Sequence, residues 1–208
     1  MPARPLYSSA ELRHLVRRMQ VRFELTLSPG QLSRLETYLD TLLKWQEKVN
    51  LICEPSLQRL LQFHFLESFW IAEHFLTNQT DLTDVGSGAG FPGLAAKIYR
   101  PGLTLTLIEK KARKALFLET VIRQLDFPNV SVYPLRWQEY QDWKPGGTVC
   151  IRALKPSQGL MERLRKHRQV LLLLHSSELS LEYRNYMIVK QLLVPGSRRR
   201  VATQLLLK

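Results

Sequence analysis

The segment Asp84-Val85-Gly86-Ser87-Gly88-Ala89-Gly90-Phe91-Pro92-Gly93 constrains this chain more than any other. It follows a short strand-like run, Leu82-Thr83-Asp84-Val85. It leads into a helical stretch, Leu94 to Tyr99, that Pro101-Gly102 stops. A strand that enters a helix through alternating glycines turns tightly, and a ligand can approach its backbone closely. Open parallel sheets bind ligands at the carboxyl ends of their strands, where such a turn sits. The spacing G-x-G-x-x-G, which Gly88 to Gly93 fits, is weak by itself. Asp84, two residues ahead of Gly86, adds chemistry. A carboxylate there repels a pyrophosphate, but it can hold the ammonium of an aminoacyl ligand directly or through water. The loop therefore favours S-adenosylmethionine over a dinucleotide, with Asp84, Gly86, Ser87, Gly88 and Gly90 as candidate binding residues.

Leu103 to Ile108 is β-rich and ends at Glu109, 23 residues after Gly86. A carboxylate at that strand end can accept both ribose hydroxyls of an adenosine. Dinucleotide enzymes use the same device, so Glu109 indicates a nucleoside without choosing between the two. The end of the chain does help to choose. Tyr186 to Val194 and Val201 to Leu207 read as two strands joined at Pro195-Gly196, with Arg198 to Arg200 in or beside the turn. A dinucleotide fold usually continues with parallel strands, whereas this ending is an antiparallel hairpin.

The first 80 residues read as helices. Ser8-Ser9-Ala10-Glu11 resembles a capping box, followed by Leu12, Leu15, Val16 and Met19 at helical spacing. Ser28-Pro29-Gly30-Gln31 starts a second helix, whose stripe runs through Leu32, Leu35, Leu39, Leu42, Leu43 and Val49. A third begins near Pro55 and carries Leu57, Leu60, Leu61, His64, Ser68 and Ile71. Trp45, Phe63, Phe65, Phe69 and Trp70 read as packing residues that seat this extension on a sheet. From Asp81 onward the rhythm changes to alternating strands and helices. Ala112 to Leu125 and Ser157 to Lys166 are helical. Val130 to Val132, Thr148 to Ile151 and Gln169 to Leu174 are strands. Such alternation predicts an α/β fold with a parallel sheet covered on both faces. The expected division is a helical extension over residues 1–80 and a ligand-binding domain over 81–208.

Charge narrows the partners. The 208 residues carry a net charge of +12. Residues 1–80 hold 9 Lys/Arg against 8 Asp/Glu, and residues 81–208 hold 21 against 10. A basic excess concentrated in the expected ligand-binding half fits a polyanionic partner, attracted at long range and in a salt-dependent way. Cys53 and Cys150 make neither a disulfide framework nor a metal cluster, which suits a reducing cytoplasm. The longest apolar run, Val170 to Leu174, is too short to span a bilayer, and the N-terminus lacks a signal-peptide core. A soluble cytoplasmic protein without metal or membrane partner is expected, with a single chain as its working unit.

Asp84 to Gly93, Leu107-Ile108-Glu109 and Arg113-Lys114-Ala115-Leu116-Phe117-Leu118 together resemble the RsmG (GidB) family of bacterial rRNA methyltransferases. Trp45 with Asn50-Leu51 resembles that family's helix ahead of the fold, and His64 with Glu67-Ser68 its His and following acidic-Ser pair. Arg136-Trp137-Gln138-Glu139-Tyr140, Ile151-Arg152-Ala153, the arginine-rich hairpin and the final Leu-Leu-Lys extend the likeness over nearly the whole chain. The resemblance implies a class I S-adenosylmethionine-dependent methyltransferase fold, a Rossmann-like sheet of seven strands with the last antiparallel. It implies methyl transfer to N7 of a guanosine in the decoding-site loop of 16S rRNA, on the small ribosomal subunit. Carried over residue by residue, Gly86, Phe91, Trp137, Gln138 and Arg152 would contact the cofactor. The chain departs from the family at Gln138, where Glu is frequent, and at His175-Ser176, where Lys-Gly is usual. The segment from His175 to Arg184 is short.

Guanine N7 is a lone-pair nucleophile with no proton to lose, so no residue is assigned as acid or base. The candidates are positioning groups. Arg152, at a strand end, could bind the cofactor carboxylate, an RNA phosphate or the guanine edge. Arg113 and Lys114 open a helix and could meet phosphate, as could the Arg198 to Arg200 tip. His64 joins them on the family likeness alone. Trp137 is expected in the adenine pocket and Tyr140 in the core. A dinucleotide-dependent oxidoreductase, a small-molecule methyltransferase and a noncatalytic RNA-binding protein are the competing readings.

Overall fold

The structure is a computed structural model that describes residues 7–53, 56–152, 156–167, 170–175 and 186–207. Pro55, Ala153, Gln169, Lys208 and the segment from Ser176 to Arg184 lie outside the described residues. Ser8 caps α1 (Ser9–Arg22) by accepting the Glu11 N–H. Ser28 and Gln31 cap α2 (Pro29–Gln46) reciprocally, with Pro29 in the first turn where its missing N–H costs nothing. The third expected helix is a succession. It runs as α3 (Leu57–Leu60), a π-helical stretch (Leu61–Leu66) and α4 (Glu67–Phe75). The Glu67 N–H reaches back five residues to the Gln62 carbonyl, which widens the turn just where His64 and Glu67 leave the helix.

Seven strands follow: β1 (Asp81–Val85), β2 (Thr104–Ile108), β3 (Val130–Tyr133), β4 (Thr148–Arg152), β5 (Val170–His175), β6 (Tyr186–Leu193) and β7 (Val201–Leu207). Between them run α5 (Gly93–Tyr99), α6 (Ala112–Gln124) and α7 (Gln158–Lys166). The sheet order is β3-β2-β1-β4-β5-β7-β6, parallel through β5, with β7 antiparallel to both its neighbours. This is the class I methyltransferase arrangement, an α/β fold with its last strand antiparallel. The strand order reverses at β1, so β1 and β4 part at their carboxyl ends and leave a crevice there.

Side-chain alternation along the strands builds two cores. Leu82, Leu105, Leu107, Cys150 and Leu172 face one way, into a cluster that includes Leu39, Phe65, Phe69, Leu94 and Phe117. Val85, Ile108, Val149, Ile151, Leu171 and Leu173 face the other, against Leu160 and Leu164 of α7. The helical extension therefore shares its core with the sheet, and packing runs without a break across residue 80. Tyr140 is buried in the second cluster with Trp143. Among the packing aromatics, Phe65, Phe69 and Trp70 are buried. Trp45 is partly buried against Phe117, and Phe63 is half-exposed. No helix among the described residues is long and apolar enough to cross a membrane.

Candidate functional site

The glycine loop is fixed by the strand beside it. The Gly86 N–H donates to the Ile108 carbonyl at 2.8 Å, and the Gly90 N–H closes a turn onto Ser87 at 2.7 Å. Gly88 has φ +57, and Gly90 has φ +83. A β-carbon at Gly90 would overlap the Tyr38 hydroxyl, so this position needs glycine for space as well as for its left-handed backbone. Tyr38, from α2, is fully buried. Its hydroxyl donates to the Ala89 carbonyl at 2.5 Å, and its ring stacks on Phe91 with centroids 5.4 Å apart.

A cavity of about 400 Å³ opens at the carboxyl ends of β1 and β2. Gly86, Gly88, Glu109, Lys114, Trp137 and Gln138, all singled out by the sequence, line it together. Lys110, Lys111, Arg136, Ile151 and Leu160 are also part of the wall. Glu109 ends β2 as expected. Its Oε2 accepts the Gly88 N–H at 2.9 Å and its Oε1 accepts the Lys111 N–H at 2.8 Å. Each carboxylate oxygen keeps a second lone pair. The site thus combines a backbone loop, one anchored carboxylate, an indole wall and a lysine-rich rim.

Other expected residues lie elsewhere. Asp84 does not line this cavity. It is 1% exposed behind the loop, where its Oδ2 accepts the Gly93 N–H at 3.0 Å. Burial pushes its carboxyl up to about 7, opposed by the Gly93 N–H and Arg152 and aided by Glu109. The structure packs the first residue of α5 over the Asp84 carboxylate, which braces the loop; the contact with a cofactor ammonium, direct or through water, stays an expectation. Ser87 is buried and donates to the Asp84 carbonyl at 2.8 Å. Phe91 is 6% exposed among Tyr38, Phe65 and His64, so its ring belongs to packing beneath the loop. Arg113 is exposed and outside the wall.

His64 and Arg152 meet in a second cluster, around Glu67 at the start of α4. Glu67 is fully buried. Its Oε1 lies 2.8 Å from Arg200 Nη2 and 3.5 Å from Arg152 Nη2. Arg152 Nη2 also donates to the Phe63 carbonyl at 2.6 Å. Burial raises the Glu67 carboxyl while the two guanidiniums draw it back, and burial lowers Arg152. Burial, with Arg152 and Arg200 nearby, holds His64 down at about 3, so its ring is neutral near pH 7. Arg198 and Arg199 are exposed, but Arg200 turns inward. The expected three-arginine tip is corrected to two, because the buried carboxylate of Glu67 draws the third in.

Sequence reading missed Tyr38 and the pair Lys110-Lys111, and it named Glu67 only within the family likeness, without a role. Glu67 was visible as an acidic residue between Leu66 and Phe69 on an apolar stripe, and the lysine pair as charge directly after Glu109. Tyr38 carried no signal, since its partner loop lies 51 residues away.

The family model described as rRNA small subunit methyltransferase G matches residues 31–193. A stretch of 129 residues is 37% identical to the Ribosomal RNA small subunit methyltransferase G of Chromobacterium violaceum, covering 62% of this chain and 61% of that one. The protein of the same name from Mycoplasma mycoides subsp. mycoides is 35% identical over 112 residues, 54% of this chain and 82% of that one. The match therefore spans less than two thirds of the first relative and more of the second. Among solved structures, a SAM-dependent methyltransferase from Aquifex aeolicus is similar in fold. Its TM-score is 0.55 at 15% identity, over 74% of this chain and 94% of that one.

Proposed function

The chain belongs to the rRNA small subunit methyltransferase G family, and from that premise we propose that it transfers a methyl group from S-adenosylmethionine to N7 of a guanine in the decoding-site loop of 16S rRNA. The observation that carries the reading is the meeting of Gly86, Gly88 and Glu109 at one cavity, with Trp137 and Gln138 on its wall. The cavity, about 400 Å³, falls in the range of small-molecule sites, roughly 300–1,000 Å³. Glu109 is held by two backbone N–H groups and keeps lone pairs for ribose hydroxyls. Trp137 offers a flat apolar face for adenine, and the turn at Gly86 and Gly88 leaves room for the chain that joins ribose to sulfur.

The bound cofactor supplies an electrophilic methyl group. What remains for the protein is placement. N7 carries a lone pair and no proton, so the residues must hold it in line with the methyl and exclude water. Positioning of this kind lowers a barrier by roughly 7–11 kcal/mol. The neutral ring of His64 accords with a reaction that needs no proton shuttle. Lys110, Lys111 and Lys114 at the rim suit an RNA backbone. The small ribosomal subunit is the partner in this reading, the cytoplasm its compartment and a single chain the working unit.

The test is transfer of labelled methyl from S-adenosylmethionine to bacterial 30S subunits lacking the native methylation. Gly86→Asp serves as control, since Gly86 has φ +77 and borders the cavity. Labelled 16S rRNA yielding 7-methylguanine, absent with the variant, is expected. Cofactor binding without label would refute the substrate; no cofactor binding would refute the whole reading.

A further inference from the structure

We propose that Glu67 is a positioning residue for the RNA: its buried carboxylate aims Arg152 at a backbone phosphodiester and ties that arginine to the C-terminal hairpin through Arg200. The proposal rests on the RNA-methyltransferase reading above. Its ground is the meeting of three chain segments at one oxygen. Glu67 comes from the end of the π-helical stretch, Arg152 from the end of β4 and Arg200 from the turn before β7. Glu67 Oε1 is 2.8 Å from Arg200 and 3.5 Å from Arg152, and Glu67 has no exposed surface.

Such a cluster is a poor device for stability alone. Buried ion pairs are often replaceable by apolar groups without loss, because desolvation offsets their attraction. Here the arrangement is less balanced still. Glu67 Oε2 is buried without a hydrogen-bond partner among the described residues, a cost a purely structural site has reason to avoid. Two guanidiniums share the one Glu67 oxygen, and His64 beside them is neutral.

The arrangement is directed. Arg200 is immobilised by the carboxylate on one side and by the Phe63 ring on the other, 5.3 Å from its guanidinium carbon. Arg152 commits Nη2 to the Phe63 carbonyl and to Glu67, which fixes the plane of its fork. Among the described residues its other nitrogens carry no hydrogen bond, and 11% of its side chain stays exposed. The preceding residue, Ile151, pairs with Val85 of β1 and lines the cavity. An arginine so placed, with its remaining nitrogens unbonded among the described residues, suits a phosphate oxygen pair.

The experiment compares wild type with Glu67→Gln, Glu67→Asp, Arg152→Lys and the Glu67→Gln/Arg152→Lys double variant. It measures thermal midpoint, S-adenosylmethionine affinity by calorimetry, affinity for undermethylated 30S subunits, and steady-state methyl transfer. Glu67→Gln should weaken 30S affinity and kcat/KM about tenfold, with cofactor affinity within twofold of wild type. Glu67→Asp should recover part of that loss. The double variant should be no worse than Arg152→Lys alone, because Glu67 acts through Arg152. Wild-type 30S affinity in Glu67→Gln would overturn the proposal. So would parallel loss of cofactor binding, which marks general structural damage, or a double-variant effect equal to the product of the single ones. If wild type itself transfers no methyl, the proposed reaction fails, while the 30S binding arm still decides the role of Glu67. Should Glu67→Gln not fold, Glu67→Asp decides in the same assays: reduced 30S affinity with intact cofactor affinity supports the role, and wild-type affinity overturns it.

Discussion

Glu109 and Asp84 are both carboxylates at strand ends, yet their surroundings give them different work. Glu109 stands at the cavity wall with both oxygens aligned by backbone N–H groups. Glu109→Ala removes the group assigned to the ribose and releases the N–H groups of Gly88 and Lys111. A hydrogen bond to a charged group contributes about 1.5–3 kcal/mol, so calorimetric affinity for S-adenosylmethionine should fall roughly 10- to 100-fold. Unchanged affinity would remove Glu109 from the site. Asp84 answers to pH instead. Its folded-state pKa is raised from 3.8 to about 7, chiefly by burial. Below pH 4 it is protonated folded or unfolded. Between pH 4 and 7 the unfolded chain gives up this proton first, so stability from this group is lost as pH rises and levels off above 7. The loss is on the order of a few kcal/mol. Asp84→Asn keeps an acceptor for the Gly93 N–H and cannot ionise. Relative to wild type, its denaturation midpoint should therefore improve steadily from pH 4 to pH 7, and a constant offset would contradict the assignment.

The glycine loop behaves as an element because α2 and β2 both grip it. From one side β2 takes the Gly86 N–H; from the other, Tyr38 reaches across to Ala89 and leaves no room for a side chain at Gly90. Tyr38→Phe keeps the ring stacked on Phe91 and deletes only the hydroxyl. The buried Ala89 carbonyl then loses that donor, which costs about 1–3 kcal/mol in chemical denaturation. Cofactor affinity should fall with it as the loop loosens, and a stability loss with affinity untouched would assign Tyr38 to the core alone. The same elements explain what was legible in the chain. Loop, strand end and Glu109 could be read because local spacing dictates them, and β4 and β5 because a short continuous apolar run marks a strand buried on both faces. The burial of Asp84 was not legible, because whether a carboxylate faces a cavity or a helix depends on how α5 packs, not on its distance from Gly86. Arg200 misled because its partner is 133 residues away, on a π-helical turn that helical periodicity reads as an ordinary helix.

Across the whole molecule, charge is uneven along the chain although packing is continuous. The helical extension is nearly neutral, and almost all of the +12 belongs to residues 81–208. Within that half, Lys110, Lys111, Lys114 and Arg136 border the cavity. Uniformly scattered charge would draw the proposed RNA substrate to any face, whereas charge at the strand ends would bring it to the cavity. The distinction is measurable, since each phosphate neutralised releases counterions and adds to the salt dependence of binding. For single-stranded RNA the slope of log affinity against log salt changes by about 0.7 per contact. Lys110→Gln, Lys111→Gln and Lys114→Gln combined should therefore reduce the slope for a decoding-region RNA by about 2 if all three meet phosphate. Three substituted lysines on the exposed part of the helical extension and α7 (Lys44, Lys48 and Lys166) should leave it nearly unchanged. Equal reductions from both sets would mean that net charge alone attracts the RNA, and that the rim of the cavity has no privileged part in receiving it.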